Sequence, residues 1–312
     1  MSDPAFDVIA LGEPLIEFNQ TQASKPEYLQ GFGGDTSNMA IAAARLGARA
    51  AYATRIGDDA FGRMFLELWR SEGLDTRGVA LDAGAPTGVY FVTHSANGHE
   101  FSYLRSGSAA SRLSPDSLPL DAIRGARVLH LSGISQAISA SACDACFAAI
   151  DAARSVGAKI SYDTNLRLKL WPLPRAREVI HASLALADWA LPSIDDAELL
   201  FGRDDPDAIV DACHDAGTPL VVLRCGAAGC VVSDGRKRER IAGPRVQAVD
   251  ATGAGDCFDG AFAVRILAGD DPVEAARYAN AAAALATTGY GAVAPLPRHA
   301  DVTALLAQAP AQ

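Results

Sequence analysis

From about residue 120 onward, short apolar runs alternate with alanine-rich helical segments, and this alternation constrains the fold more than any other feature of the chain. ARVLHLSG, KISYDTN, DWALPS and PLVVLRCG are typical of buried strands, whereas ASACDACFAAIDAARSVG and REVIHASLALA are typical of helices. Strands that alternate with helices form a mostly parallel sheet with helices on both faces. The 312 residues are enough for one such α/β domain.

The segment from residue 86 to 111 departs from this pattern, because its apolar and polar residues alternate with a period of two. Asn97 and Gly98 predict a tight turn, so the segment is expected to form a hairpin. Tyr103 and Arg105 are two residues apart and therefore share a face of it. An aromatic ring and a guanidinium on one face favour a lid over a ligand, and an ordinary surface hairpin is the alternative.

The charge balance limits the partners of the chain. The formal net charge is −10 without any block of lysine or arginine, so we expect no binding to nucleic acid. No apolar run reaches the roughly 18 residues of a membrane span, and the N-terminus lacks the features of a signal peptide. The six cysteines are scattered, and Cys143 and Cys146 have no second pair for a zinc site. We expect a cytoplasmic protein that contacts no membrane.

The segment VDATGAGDCFDGAF, residues 249 to 262, places glycines directly before a predicted helix. Gly253 and Gly255 permit a tight turn, so the amides of Gly253, Ala254, Gly255 and Asp256 are expected to converge at the helix N-terminus. Such an anion hole stabilises the charge of a moving phosphoryl group. An aspartate beside it is suited to accept a proton from an attacking hydroxyl. Capping the helix is the alternative role of Asp256.

Three segments together resemble the ribokinase-like (PfkB) family of sugar kinases. VDATGAGDCFDGAF resembles the C-terminal signature of that family, GFGGDTSNMAIAAARLGA its N-terminal signature, and RIGDDAFGRMF its G-x-D-x-F-G segment. The matches occur in the family's order and extend over about residues 8 to 295. The resemblance implies one Rossmann-like kinase domain over residues 1–312, with a small β-sheet lid formed by about 12–35 and 85–110. It also implies a homodimer that pairs through the lid.

The resemblance further implies roles for individual residues. Asp256 is then the base that deprotonates a substrate hydroxyl for attack on the γ-phosphate of ATP, with Gly253, Ala254 and Gly255 as the anion hole. Gly33, Gly34 and Asn38 lie against the sugar. The residues assigned to the nucleotide are Asn165, Ser193, Arg224, Gly226, Gly229, Gly253, Gly255 and Asn280.

The metal-binding segment of the family is altered in this chain. Many members carry N-x-x-E, whereas PSIDDAE here has Ser193 in place of the asparagine and Asp196 in place of the glutamate. Asp196 retains a carboxylate for a water-mediated contact with Mg²⁺, and Glu198 is the alternative. The need for a monovalent cation such as K⁺ near VDATG stays open.

The substrate prediction depends on two arginines. Arg167 follows a buried strand, at the edge where open α/β sheets bind ligands, and Arg105 lies on the hairpin. Two guanidiniums suit a carboxylate, and pairing with phosphate or with an acidic neighbour is the alternative for Arg167. PTGVYF, YLRSGSAAS, LHLSGISQAIS and DTNLRLKLW resemble the 2-keto-3-deoxygluconate kinases of this family.

That narrower resemblance implies phosphorylation of 2-keto-3-deoxygluconate at O6. The residues around the sugar acid are then Tyr90, Tyr103, Arg105 and Arg167, with Gly34 and Asp256. A fructokinase and a kinase that accepts 2-keto-3-deoxygalactonate are the alternatives within the family. A non-catalytic module that binds sugar or nucleotide is the alternative outside it.

Overall fold

The computed structural model describes residues 4–20, 22, 25–95 and 98–308. The strands in this part of the chain are β1 (Phe6–Leu11), β2 (Leu15–Gln20), β3 (Tyr28–Gly33), β4 (Ala50–Gly57), β5 (Asp75–Asp82), β6 (Gly88–Ser95), β7 (Gly98–Leu104), β8 (Ala126–Ser132), β9 (Lys159–Asp163), β10 (Trp189–Ala190), β11 (Leu220–Arg224), β12 (Cys230–Ser233) and β13 (Arg238–Ile241). The helices are α1 (Asp35–Arg45), α2 (Ala60–Ser71), α3 (Leu120–Arg124), α4 (Gly133–Ala137), α5 (Ala140–Arg154), α6 (Leu173–Leu184), α7 (Ile194–Phe201), α8 (Pro206–Asp215), α9 (Ala254–Ala268), α10 (Pro272–Ala286) and α11 (His299–Gln308).

A large sheet forms the centre of the molecule, with strand order β13-β12-β11-β10-β9-β8-β1-β4-β5. Its strands pair in parallel from β11 to β5, and β12 and β13 extend it antiparallel at one edge. Both faces are buried, because alternate residues of β1 enter different hydrophobic clusters: Val8 and Ala10 one, Ile9 and Leu11 the other. The predicted α/β fold is confirmed.

A second, smaller sheet has the order β3-β2-β6-β7, and we call these four strands the lid sheet. β2 pairs with β6 in parallel, and the other two pairings are antiparallel. The strands come from the two segments that the sequence assigned to a lid. The turn residue Asn97 lies outside the described residues.

Two helices that pack against each other place the glycine loop at the carboxyl edge of the large sheet. α1 and α9 are so close that a Cβ on Gly260 would lie 2.7 Å from the carbonyl oxygen of Met39. Their N-termini therefore meet beside the ends of β9 and β11, the edge where open α/β sheets bind ligands. Within the described ranges, no helix has both the length and the apolar character needed to cross a membrane.

Candidate active site

The N-terminus of α9 presents backbone amides, as the glycine loop predicts. Gly253 precedes the helix with a φ of +76°, a left-handed conformation that favours glycine. Ala254 donates its amide to the carbonyl of Ala251 at 3.2 Å, so this predicted anion-hole amide is used within the turn. The amides of Gly255 and Asp256 belong to the first helical turn, and no described side chain caps it. These two amides are therefore suited to bind an anion.

The side chain of Asp256 is held by a residue of α1, the helix that packs against α9. Its Oδ2 accepts a hydrogen bond from Nδ2 of Asn38 in α1 at 2.8 Å, across 218 residues of sequence. The sequence predicts that Asn38 lies against the sugar, whereas the structure directs its amide group to Asp256. Burial raises the pKa of Asp256 to about 7, the charge of Asp35 adds to this, and the Asn38 hydrogen bond opposes it. A carboxylate that titrates near neutral pH is suited to act as a general base.

Two oxygen acceptors beside Asp256 are unpaired. Asp35 opens α1, and its Oδ2 accepts a hydrogen bond from Nδ2 of Asn165 at 3.0 Å. Its Oδ1 and the Oδ1 of Asn38 are both buried and have no hydrogen-bond partner among the described residues. Buried acceptors need donors, so these atoms are suited to receive ligand hydroxyl groups. Asp35 was not among the predicted site residues, although its place directly after the double glycine was a signal.

Arg224 lies at the carboxyl end of β11, but its guanidinium is turned inward. Nη2 contacts Oδ1 of Asp163 at 2.5 Å, and Nη1 contacts Oδ1 of Asp259 at 2.9 Å. The sequence assigns Arg224 to the nucleotide, and this stays a prediction; in the structure two carboxylates of the protein neutralise the guanidinium. Asp259, one helical turn beyond Asp256, thus belongs to the same buried ion network.

The predicted lid residues do lie together. Tyr90 and Tyr103 are opposite each other in the register of β6 and β7, and their rings stack with centroids 5.8 Å apart. The hydroxyl of Tyr90 donates a hydrogen bond to Glu17 and lies 2.7 Å from the position of a Cβ on Gly33. Burial raises the pKa of Tyr90, with smaller contributions from the charges of Glu17, Tyr103 and Asp256. The lid sheet therefore faces the candidate base.

Arg105 does not present a free guanidinium to this space. Its Nε donates to Oε2 of Glu13 at 2.7 Å, and Ser108 donates to the other oxygen of the same carboxylate. Both partners are buried, with 10% of the Arg105 side chain and none of the Glu13 side chain exposed. The sequence predicts that Arg105 binds a substrate carboxylate. In the structure a glutamate of the protein pairs with the arginine, and binding of a substrate carboxylate stays a prediction.

The second predicted arginine is more accessible. Half of the Arg167 side chain is exposed, and its Nη1 lies 3.9 Å from Oδ1 of Asp196 and donates to the Leu166 carbonyl at 2.8 Å. Oδ2 of Asp196 accepts the amide of Leu166 at 3.0 Å. Ser193, predicted to contact the nucleotide, precedes α7 and caps it by accepting the amide of Asp196.

A water-mediated contact of Asp196 with Mg²⁺ stays a prediction. Burial raises the pKa of Asp196, which lies in the first turn of α7. Among the described residues, no group of three or more His, Cys, Asp or Glu side chains is arranged to hold a metal ion. A Mg²⁺ ion that is held mainly by phosphate and water needs few protein ligands.

The other predicted nucleotide residues surround the turn between β11 and β12. Gly229 has a φ of +101°, and a Cβ there would lie 1.9 Å from the carbonyl oxygen of Ile241. Gly226 begins the turn with a φ of +56°. Asn280 is buried and directs its amide group to Cys230 Sγ at 3.3 Å and to the Ile241 carbonyl at 3.4 Å. Gly226 and Gly229 have backbone conformations that favour glycine, Asn280 has partners within the protein, and nucleotide contact stays a prediction for all three.

Known proteins resemble this chain over nearly its whole length. It is 38% identical to fructokinase-1 of Zea mays over 320 residues, which cover 97% of this chain and 98% of that protein. It is 36% identical to probable fructokinase-4 of Arabidopsis thaliana over 319 residues, or 96% of each chain. These relatives are named fructokinases, so they do not support the narrower resemblance to 2-keto-3-deoxygluconate kinases.

Solved structures agree with the fold and with the arrangement of the two sheets. A putative ribokinase II of E. coli in complex with ATP and Mg²⁺ has a TM-score of 0.90 at 26% identity, covering 97% of this chain and 99% of that one. The fructokinase of Vibrio cholerae O395, bound to fructose, ADP and calcium, has a TM-score of 0.88 at 29% identity with the same coverage. The model of the pfkB family of carbohydrate kinases matches residues 5–299. With the signature loop, the fold and this match in agreement, the chain belongs to the pfkB family of carbohydrate kinases.

Proposed function

We propose that this kinase transfers the γ-phosphoryl group of ATP to the terminal O6 hydroxyl of a six-carbon 2-keto sugar, and that the sugar is fructose. The observation that carries the proposal is the position of Asp256, which combines a pKa near 7 with the free amides of the α9 N-terminus. The fructokinases of Zea mays and Arabidopsis thaliana support the choice of sugar.

The chemistry requires one proton acceptor and one binding site for developing charge. Asp256 takes the proton of the O6 hydroxyl as the oxygen attacks the γ-phosphorus. The O6–P bond forms, the bond between the γ-phosphorus and its bridging oxygen breaks, and ADP leaves. The amides of Gly255 and Asp256 stabilise the charge on the phosphoryl oxygens during transfer. The lid sheet, with Tyr90 facing Asp256, excludes water and so favours transfer over hydrolysis.

A neutral sugar suits the charges around the base. The charges of Asp35 and Asp163 raise the pKa of Asp256, and the charge of Asp35 also raises that of Glu13. The two buried arginines, Arg105 and Arg224, are both paired with carboxylates. Sugar hydroxyls are hydrogen-bond donors, and the unpaired Oδ1 atoms of Asp35 and Asn38 are acceptors. A substrate carboxylate placed beside these oxygens would be repelled.

ATP binding would use the turn between β11 and β12, with Gly226, Gly229 and Asn280. Asp196 is the residue that would contact Mg²⁺ through water, and the ion would neutralise phosphate charge. Dimerisation through the lid sheet and a cytoplasmic location remain part of the proposal.

A sugar acid, 2-keto-3-deoxygluconate, is the second candidate substrate. One observation favours it: Arg167 is half exposed and has its carboxylate partner only at 3.9 Å, so its guanidinium is available for a ligand carboxylate.

One assay separates the two substrates. ADP release is measured with fructose, 2-keto-3-deoxygluconate, ribose and adenosine at equal concentrations. We expect the highest kcat/KM with fructose. Turnover of the sugar acid without turnover of fructose would refute the main proposal and establish the second candidate.

Two variants test the assignments within the site. R167A removes the accessible arginine, and R175A removes an exposed arginine of α6 as a matched control. If fructose is the substrate, both variants keep the wild-type KM for sugar. A KM for the sugar acid that rises about 10-fold or more in R167A alone would be the signature of a carboxylate contact worth about 1.5–3 kcal/mol.

D256N tests whether the chain is a catalyst at all. The isosteric amide cannot accept the proton, so turnover is expected to disappear while ATP binding, measured by calorimetry, persists. Wild-type turnover in D256N would refute the base assignment. A wild-type protein that binds ATP and sugar without turnover would instead be a binding module.

A further inference from the structure

A buried ion network lies directly behind the anion hole. Arg224 at the end of β11 contacts Asp163 at the end of β9 and Asp259 in α9, and only 11%, 4% and 1% of the respective side chains is exposed. Asp259 is one helical turn beyond Asp256. A charged network costs desolvation energy when it is buried, so its position next to the reacting groups requires an explanation.

The guanidinium touches the backbone of the anion hole. Nη1 of Arg224 lies 2.8 Å from the position that a Cβ on Gly255 would occupy, so a side chain at this position would displace the guanidinium. The positive charge therefore lies beside the first helical turn of α9, whose amides form the proposed anion hole. A fixed charge in a buried site acts strongly on charge that develops nearby.

The same network reaches the other side of the site through Asp163. Oδ1 of Asp163 also accepts the amide of Asn165 at 3.1 Å. Asn165 has a φ of +27°, the one positive φ among the described non-glycine residues, and its side chain donates to Asp35. Arg224 thus connects the anion hole with the loop that supports the unpaired acceptor of Asp35.

We propose that Arg224 is a positioning residue whose positive charge, held under Gly255 by Asp163 and Asp259, supports the anion hole and favours the ionised form of Asp256. The proposal rests on the role of Asp256 as the base of the proposed kinase reaction. It differs from a role in nucleotide binding, because Arg224 then acts through the loop and does not touch ATP.

The charged and titratable groups around Asp256 are consistent with this role. Burial is the main cause of the raised pKa of Asp256. The charges of Asp35 from α1 and Asp163 from β9 raise it further, and the charge of Arg224 lowers it. Asp259 and Cys257 lie on the same helix as Asp256, and Tyr90 faces it from the lid sheet. Burial is the main cause of the raised pKa of these three groups, and the charge of Asp256 contributes to each. Arg224 is the group in this set that carries positive charge.

The test compares R224Q and R224K in the full-length enzyme. The pH dependence of kcat/KM for the sugar is measured between about pH 5 and 9, together with the KM for ATP. We expect R224Q to move the acidic limb of the profile upward by about one unit, the low end of the effect of a neighbouring charge. Its kcat falls about tenfold, less than on loss of a direct anion-hole donor. R224K keeps the charge and is expected to restore the wild-type limb.

Several outcomes overturn the proposal. If the KM for ATP rises in both variants while the acidic limb of the pH profile stays in place, Arg224 binds the nucleotide. Equal losses of kcat in R224Q and R224K with an unmoved limb would reveal a merely structural role. Circular dichroism establishes that each variant is folded.

D163N decides the question if the Arg224 variants do not fold. It removes a negative charge and leaves the cation, so the acidic limb is expected to move to lower pH, opposite to R224Q. An unmoved or raised limb in D163N would overturn the proposal. D256N separates this failure from failure of the proposed function, because a turnover that survives D256N refutes the base itself.

Discussion

The unpaired oxygen of Asp35 leads to the sharpest prediction about substrate binding, tested by D35N. The substitution keeps the size of the side chain, and its carbonyl oxygen can still accept the hydrogen bond from Asn165. It removes the negative charge that raises the pKa of Asp256 and an acceptor oxygen that has no partner in the described residues. Two separate effects follow, one on pH dependence and one on sugar affinity.

The size of the pH effect follows from the ionised fraction of Asp256. With a pKa of about 7, roughly one-tenth of Asp256 is ionised at pH 6. If loss of the Asp35 charge lowers the pKa by about one unit, half of Asp256 is ionised at that pH. Relative to the plateau at high pH, kcat/KM at pH 6 should therefore be about fivefold higher in D35N than in wild type.

Whereas D35N is expected to raise relative activity at low pH, it is expected to weaken the binding of the sugar. A hydrogen bond from a sugar hydroxyl to a charged acceptor contributes about 1.5–3 kcal/mol, so the KM for sugar should rise about 10- to 150-fold. The KM for ATP should not change, because Asp35 belongs to the proposed sugar-binding part of the site, next to Gly34 and Asn38.

The assay is coupled ADP release at sugar concentrations well below KM, recorded as a full pH profile. D116N serves as the matched control, since it removes an exposed carboxylate outside the site. An acidic limb that stays in place or moves upward in D35N would refute the electrostatic reasoning. A wild-type KM for sugar would refute the assignment of Asp35 as a hydroxyl acceptor.

Three further predictions concern packing, the lid and assembly. G260V places a side chain against the backbone of Met39 in α1, so the free energy of unfolding measured in urea should fall by about 3 kcal/mol, and a loss below about 1 kcal/mol would contradict this contact. E13Q leaves the buried Arg105 without its anion, and calorimetry should show a loss of about 3–5 kcal/mol; unchanged stability would mean that the ion pair is absent. Leu29, 65% exposed on the lid sheet, should contribute to a lid-mediated dimer, so L29E should sediment as a monomer while L199E, altered on exposed Leu199 of α7, remains a dimer. A dimer of L29E would contradict assembly through this surface.

The ion-pair partners of the predicted arginines could not be predicted from the sequence. Arg105 and Arg224 are each at the position that the motifs suggest, at the end of a strand near the site. Their partners are remote in sequence, since Arg105 pairs with Glu13 across 92 residues and Arg224 with Asp163 across 61. An arginine that is paired with a buried carboxylate has a different function from a free one, and local sequence does not distinguish the two.

The sequence by itself determined the α/β fold and the kind of reaction. Hydrophobic alternation and turn residues are local properties, so they predict strands, helices and a parallel sheet without knowledge of distant contacts. The glycines before α9 likewise specify the turn that exposes amides next to Asp256.

Only the tertiary structure decided how the charges around that loop are balanced. Packing of α1 on α9 brings Asn38 to Asp256 and leaves acceptors of Asp35 and Asn38 unpaired. The β9 and β11 ends bring Asp163 and Arg224 beneath Gly255. These contacts join residues from four elements, and burial makes their charges interact strongly. The substrate and the titration of the base therefore depend on contacts that no single stretch of the sequence contains.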